Sequence, residues 1–305
     1  MKCEKFSKQE LGEWGATFDT PYEDSPLKPW LSAAAFEGLS EVFYQAASCS
    51  FSEMHYYIGA YSVEFAKYDD DARFRDMMKR IYQHAIACGD AGSCCNLANM
   101  YHNTKNQGSA EDYATAVELY ELGSQRGDTQ SSVNLGYIYY YGRGTAVDYR
   151  RAYECWSRVA LVEDHPEALW KLGDLYAGGR GVPQSDWLAW SLYSKAYKAA
   201  NGAAYGCRAA HHMADYLLKG IDGQLETDPD KALALYNEAE LGYYQLIDEG
   251  LTYYQRQLDQ AIEGQSRARA AVQEKHRRIR MGEMPGAEED DDDSYGDWGD
   301  WDLSE

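Results

Sequence analysis

The feature that most constrains this chain is a pair of residues, one bulky and apolar and the next Gly or Ala, that recurs five times. The pairs are Ile58-Gly59, Leu97-Ala98, Leu135-Gly136, Leu172-Gly173 and Met213-Ala214, and their spacings are 39, 38, 37 and 41 residues. A second landmark follows each pair by 20, 19, 17, 17 and 19 residues, at Met78, Ala116, Ala152, Ala189 and Ala232. Four residues beyond each of these stands a large ring: Tyr82, Tyr120, Trp156, Tyr193 and Tyr236. A small residue beside a bulky one lets a second helix come close. A small residue followed one turn later by a ring presents a notch and a plug on a single helix face. Two helices of about 12 residues and a short turn fill such a period. One pair cannot bury its apolar face alone, so the pairs stack, with contacts mainly between neighbours.

The turns carry the signals that this reading requires. Tyr141-Gly142-Arg143-Gly144 and Ala177-Gly178-Gly179-Arg180-Gly181-Val182-Pro183 follow first helices, where glycine supplies a left-handed cap. Asp148, Ser185 and Asp228 lie four residues before the second-helix alanines, at the position of an N-cap, and Pro229 suits the first helical position. Gly89-Asp90, Gly127-Asp128 and Asn201-Gly202 close second helices.

The string L-G-x-x-Y-x-x-G-x-G, then D-x-x-x-A-x-x-x-W/Y, then G-D resembles the Sel-one-like repeat family, a relative of the tetratricopeptide repeats. The match is best at Leu135–Val159 and Leu172–Ala200, looser at 91–128, where Asn106-Gln107-Gly108 replaces the Gly-Arg-Gly turn, and weakest at 52–90, where Met78 replaces the small residue. The resemblance implies an all-α fold, a right-handed α-solenoid of about five helix-turn-helix repeats with capping helices, presenting a concave face to a partner. It implies no single activity. A cysteine-rich branch of that family has been linked to β-lactam hydrolysis, but the paired cysteines of that branch are missing here.

The expected organisation is an N-terminal segment and cap helix over 1–50, the repeats over 51–242, a C-terminal capping helix with a basic end over 243–281, and a disordered acidic tail over 282–305. Residues 31–47 read as the amphipathic cap helix, with Trp14 and Trp30 as anchors onto it and 1–29 otherwise unassigned. At the far end Tyr244, Ile247, Leu251, Tyr254, Leu258 and Ile262 form one helical stripe. Arg267, Arg269, Lys275, Arg277, Arg278 and Arg280 then give way to Glu288–Asp293, an unbroken acidic run, and to Tyr295, Trp298 and Trp301.

The charge of −21 argues against nucleic acid as a partner, because phosphates demand cations. No stretch approaches the roughly 18 apolar residues of a membrane span, and no apolar leader follows Met1, so a cytoplasmic, monomeric protein without a membrane contact is expected. Seven cysteines at irregular positions argue against a disulfide framework. His84, Cys88, Cys94, Cys95 and His102 lack the tight pairs of a zinc site, and the cysteines read as buried thiols behaving as small hydrophobes. His211 and His212 diverge by about 100° on a helix. No metal, cofactor or catalytic residue is expected. The resemblance to helical repeats puts Asn99, His102, Tyr137, Tyr140, Trp170, Asp174, His211 and Asp215 on the concave, partner-binding face. The reading is a non-catalytic scaffold or adaptor that binds a peptide or protein in its groove, with the acidic aromatic tail as a second or autoregulatory element. The alternative is a hydrolase whose site is assembled across repeats, with Cys or Ser beside His102 or His211.

Overall fold

Helix starts and stops fall where short polar residues and glycines dictate. The computed structural model describes residues 3–102, 109–202 and 206–285. It contains α1 (Lys8–Asp19), α2 (Ala33–Ala47), α3 (Phe51–Ala60), α4 (Ser62–Phe65), α5 (Ala72–Ala87), α6 (Gly92–His102) and α7 (Ala110–Gln125). These are followed by α8 (Thr129–Tyr141), α9 (Tyr149–Glu163), α10 (Pro166–Gly178), α11 (Asp186–Ala200), α12 (Cys207–Lys219), α13 (Pro229–Asp248) and α14 (Gln255–Arg280). Among the described residues the one β feature is an isolated bridge between Ile221 and Leu225. The acidic run at 288–293 and the rings beyond it lie outside the described residues.

The N-caps are those expected: Asp148 accepts from Arg151 N, Ser185 from Leu188 N and Asp228 from Lys231 N. Each satisfies one of the backbone donors that a helix start leaves open. Gly89-Asp90 and Gly127-Asp128 each do two jobs. The glycine ends one helix with positive φ, and the aspartate caps the next by accepting from Ser93 N at 2.8 Å and Ser131 N at 2.7 Å. In the Gly-Arg-Gly turns the second glycine is fixed by packing as well as by φ. A Cβ on Gly144 would lie 2.4 Å from Tyr113, and one on Gly181 2.7 Å from the backbone of Tyr149. Tyr113 and Tyr149 each stand three residues before the notch alanine of the preceding repeat, so the two turns dock in one register.

The chain forms two compact units that divide between Val147 and Asp148, inside the third repeat. In the first, α2 packs on α3 and α5, α5 on α6, and α7 on both α6 and α8. In the second, each of α9 to α13 packs on its successor, and α14 also reaches α12. That nearest-neighbour pattern is the one stacked hairpins require. The notch residues Ala116, Ala152, Ala189 and Ala232 are fully buried, and the plugs Tyr120, Trp156, Tyr193 and Tyr236 are at most 1% exposed. The close approach at the small residue is explicit in the fourth repeat, where a Cβ on Gly173 would meet the Tyr193 ring at 2.6 Å.

The ends depart from the repeat. In the first repeat Met78 and Tyr82 are buried, but Ile58 is half-buried and Gly59 exposed, and Met54 is the buried residue of α3. Residues before 30, which sequence reading left without an element, supply α1, capped by a Ser7–Glu10 box. Phe6, Trp14 and Phe18 close on Phe43 of α2 at ring separations of 5.7, 5.4 and 5.3 Å. Arg80 of α5 clamps Glu10 at 2.7 and 2.9 Å and donates to the carbonyls of Glu4 and Lys5. Trp30 instead lies under the Arg73 guanidinium at 4.3 Å. At the other end the apolar stripe from Tyr244 to Ile262 is two helices, because the chain breaks after Asp248 and passes through Gly250 at φ +97. α14 then packs along α13 with Leu258, Ala261, Gly264, Gln265 and Ala268 buried, while Tyr244 and Ile262 are exposed.

Since Trp156 has no exposed surface, Trp156→Ala is expected to cost about 3–5 kcal/mol of stability. A thermal or denaturant melt that coincides with that of the unsubstituted chain would contradict the packing described.

Candidate partner-binding surfaces

Three of the eight residues expected on the concave face serve the core first. The Tyr120 hydroxyl donates to Asn99 Oδ1 at 2.6 Å, that of Tyr193 to Asp174 Oδ1 at 2.9 Å, and that of Tyr236 to Asp215 Oδ1 at 2.5 Å. Asn99, Asp174 and Asp215 each stand two residues after their bulky anchor, so one rule operates three times. A buried hydroxyl needs a partner, and the first helix of the repeat supplies it. The third repeat keeps to the same logic: its plug is Trp156, without a hydroxyl, and the corresponding position is Tyr137.

In the first unit the structure brings Asn99, His102 and Tyr137 together. With Tyr120, Asn134, Ile138 and Arg143 they line a cavity of about 180 Å³. Asn134 Nδ2 reaches Asn99 Oδ1 at 3.4 Å and Cys95 Sγ at 3.6 Å, which gives the cavity a polar floor. Its rim is aromatic and cationic. Tyr141, 50% exposed, stacks parallel to Tyr137 at 6.2 Å, meets Tyr140 edge-on at 4.9 Å and carries the Arg143 guanidinium at 5.3 Å. Tyr140 itself is 9% exposed and offers a partner only an edge. Sequence reading missed Arg143 and Asn134. Gly142 caps α8 at φ +67, as the Gly-Arg-Gly turn requires, and the arginine between the glycines is left facing the cavity.

In the second unit Trp170 and His211 are buried, at 4% and 7% exposure. Two cations flank Trp170: Lys171 Nζ at 4.2 Å and the Arg208 guanidinium at 3.9 Å from the ring centre. Lys171 also lies 3.2 Å from Asp174 Oδ2, and His212 Nε2 lies 3.5 Å from Asp174 Oδ1 while its ring stacks on Tyr193 at 4.6 Å. Burial pushes the Lys171 ammonium down to about 8, against the pull of Asp174. Burial opposes ionisation of Asp174 too, but Lys171, His212 and Arg208 together hold its carboxyl below the usual range. His211 turns away to the Tyr243 hydroxyl at 3.2 Å, so the two histidines take different partners, as their angular separation requires. Asp215 also meets Arg267 of α14 at 3.3 Å. Lys171 meets Asp174 and Trp170 within α10, whereas Arg208, His212 and Arg267 carried no signal for these roles in the sequence, because their partners lie on other helices.

Comparison with known proteins places this architecture. The Sel1 repeat family model matches residues 91–128, 130–161, 166–201 and 207–242. The chain is a Sel1-like repeat protein. Its fold is an all-α solenoid of such repeats. Among curated relatives, the ERAD-associated E3 ubiquitin-protein ligase component HRD3B of Arabidopsis thaliana is 31% identical over 93 residues, 30% of this chain and 15% of that protein. Protein sel-1 homolog 2 of Rattus norvegicus is 30% identical over 96 residues, 32% of this chain and 14% of that protein. The chain thus matches about a seventh of the length of these relatives. The crystal structure of c5321, a protective antigen of uropathogenic Escherichia coli with an SLR fold, superposes with a TM-score of 0.50 over 82% of this chain and 56% of that one. Sequence identity there is 20%, and the likeness is one of fold. The Sel1 matches begin at residue 91, after the segment in which Ile58 and Gly59 fail to enter the core. No helix among the described residues is long and apolar enough to cross a membrane.

The buried histidine sets a pH dependence. Burial, with His212 adding to it, lowers His211 to about 4, while Asp215 opposes and Arg208 and Arg267 reinforce the shift. In the unfolded chain the imidazole takes its proton near pH 6.5. Between those values the unfolded state binds the extra proton, so this contribution is complete above about pH 6.5 and is lost as pH falls toward 4. Stability is expected to drop by about 2 kcal/mol between pH 6.5 and 5 from this residue. Denaturant melts of wild type and His211→Gln at both pH values check this: the variant should lose less, and an equal loss would assign the effect elsewhere.

Proposed function

We propose that this Sel1-like repeat protein is a non-catalytic interaction scaffold, a monomeric adaptor that binds a peptide or protein segment on its concave face. Asn99, His102, Tyr137 and Tyr140 form the subsite of the first unit, and Trp170, Asp174, His211 and Asp215 that of the second. The observation that carries the reading is the first-unit cavity, which combines a polar floor, stacked tyrosine walls and an arginine at the rim. Tyrosines give large contact area at small entropic cost, and arginine is a frequent anchor of interfaces. A segment with a carboxylate or carboxamide side chain fits this chemistry, the head group meeting Arg143 and the amides of Asn99 and Asn134. Family membership supports the reading, and HRD3B is by its description a component of a larger ligase assembly.

The hydrolase alternative asks for a serine or cysteine beside His102 or His211. Among the described residues, those lining the His102 cavity include neither. Cys207, one turn from His211, is buried, and burial raises its thiol to about 12, the reverse of an activated nucleophile.

The direct test selects binding segments from a displayed peptide library with the full chain and measures them against Tyr137→Ala/Arg143→Ala. Affinity is expected to fall by at least about tenfold, with the melt close to that of wild type, because both side chains sit at the surface of the cavity. Equal affinity in the double variant would remove the cavity from the interface. Tyr140 and Trp170 are poor choices for this test, since their burial would confound binding with stability.

The acidic aromatic tail is proposed as a second or autoregulatory element. Its charge opposes that of Arg143 and of the basic end of α14, and tethering gives it a high effective concentration. Deleting residues 287–305 should then raise the affinity for selected peptides, most strongly at low salt. Unchanged affinity at low salt would leave the tail without this role.

A further inference from the structure

The helices that close successive hairpins each end on a left-handed residue. After α5, α7, α9, α11 and α13 these are Gly89, Gly127, Asp164, Asn201 and Gly250, with φ of +108, +90, +49, +47 and +97. Gly, Asn and Asp are the residue types that take this conformation most readily. After α2 the same position holds Cys49, at φ +60. Backbone bonds hold the turn: Cys49 N donates to Ala46 O at 3.0 Å and Ser50 N to Gln45 O at 2.9 Å. A cysteine at a glycine position is unfavourable for the backbone, and what it gains here is a neighbour. The Cys49 Sγ, the Cys88 Sγ at the C-cap of α5 and a ring nitrogen of His84 all lie within 4.8 Å of one another. Cys49 is exposed and Cys88 half-buried.

His84 does not complete a metal centre with the two thiols. Phe6 N–H donates to His84 Nδ1 at 2.7 Å, so the proton sits on Nε2, which points at Ala46 O at 3.1 Å and lies 3.7 Å from Cys88 Sγ. Both nitrogens are engaged with backbone, and the ring stacks on Phe6 at 4.2 Å. What remains is a pair of thiols at the ends of two packed helices.

We propose that Cys49 and Cys88 form a reversible disulfide, with a low-molecular-weight disulfide of the glutathione type as oxidant. The exposed Cys49 thiolate attacks one sulfur of the oxidant, which forms a mixed disulfide and expels one thiolate. The Cys88 thiolate then attacks the Cys49 sulfur and expels the second. Two protein thiols lose two electrons and two protons, and the oxidant becomes two thiols. Burial, followed by the hydrogen bond with Cys49, raises the Cys88 thiol, which suits it to the second step rather than the first. The bond ties the C-terminal end of α2 to that of α5 and closes the loop that contains α3 and α4. The N-terminal layer is then fastened to the array in oxidising conditions and released by reductant.

The test treats the full chain with glutathione disulfide and maps cross-linked peptides. The expected product is one intramolecular link joining the peptides that contain Cys49 and Cys88. It should be accompanied by a rise of about 5 °C in melting temperature that dithiothreitol reverses. Cys49→Ser and Cys88→Ser should each abolish link and shift. Cys49→Gly should abolish the link while melting no lower than the reduced wild type, which separates loss of the thiol from loss of folding. Stable glutathione at Cys49 alone, links through any of the other five cysteines, or zinc without oxidant shielding both thiols from alkylation would each overturn the proposal.

Discussion

The structure depends on a ring, one turn beyond an alanine, buried in each of the last four repeats, and in the fourth it is seen seated against the first helix at a residue small enough to admit it. Because Gly173 has no side chain, the Tyr193 ring lies where a Cβ would stand, and the same relation recurs at Gly264 with Tyr236, where α14 adds to the last repeat. Dense packing of this kind tolerates no spare methyl group, which is why bulky-plus-small pairs persist at the anchor positions while surface positions vary between repeats. The contact also sets the spacing of helices, and hence which side chains of the first helices are left to form a surface.

Using tyrosine as the plug brings a hydroxyl into a dry interior, and the repeat answers with an acceptor two residues past the anchor. Asn99, Asp174 and Asp215 are therefore shared between core and surface: Oδ1 accepts from the buried ring hydroxyl and also faces a second polar group, Asn134, His212 or Arg267. In the second unit this recruits Lys171 and His212 to Asp174, with Arg208 stacked on Trp170, in a largely buried charged network, while Arg267 meets Asp215 at the surface. Such networks are strong when complete and costly when broken. In the first unit the acceptor is an uncharged asparagine, and the space beside it stays open as the cavity under Tyr137 and Arg143. One repeat rule thus yields a filled, charged site in one unit and an open, polar one in the other.

Most of the fold was legible from residue types at fixed intervals. The notch-and-plug period named the core rings, and the caps at Asp148, Ser185 and Asp228 were placed to the residue, because a cap bonds to backbone within its own turn. The interruption at Gly250 was hidden by an apolar stripe that continues in register across two helices. The α1 layer was hidden as well, since Phe6 and Phe18 have no repeat partner in sequence and owe their burial to Phe43 and, for Phe6, to His84 far along the chain.

By itself the sequence determined what short-range chemistry controls: helix pairs of period near 38, their caps, their buried rings and the family to which they belong. Tertiary structure alone decided which of the eight expected surface residues remain open. Exposure and charge at Asn99, Trp170, Asp174 and His211 are set by groups that arrive from other helices: Asn134, Arg208, His212 and Tyr243. The same holds for Cys49 and Cys88, which are 39 positions apart in the chain yet brought together at two helix ends. Periodicity records what a residue does within its own hairpin. Proximity across hairpins depends on how they stack, and no interval in the sequence records that.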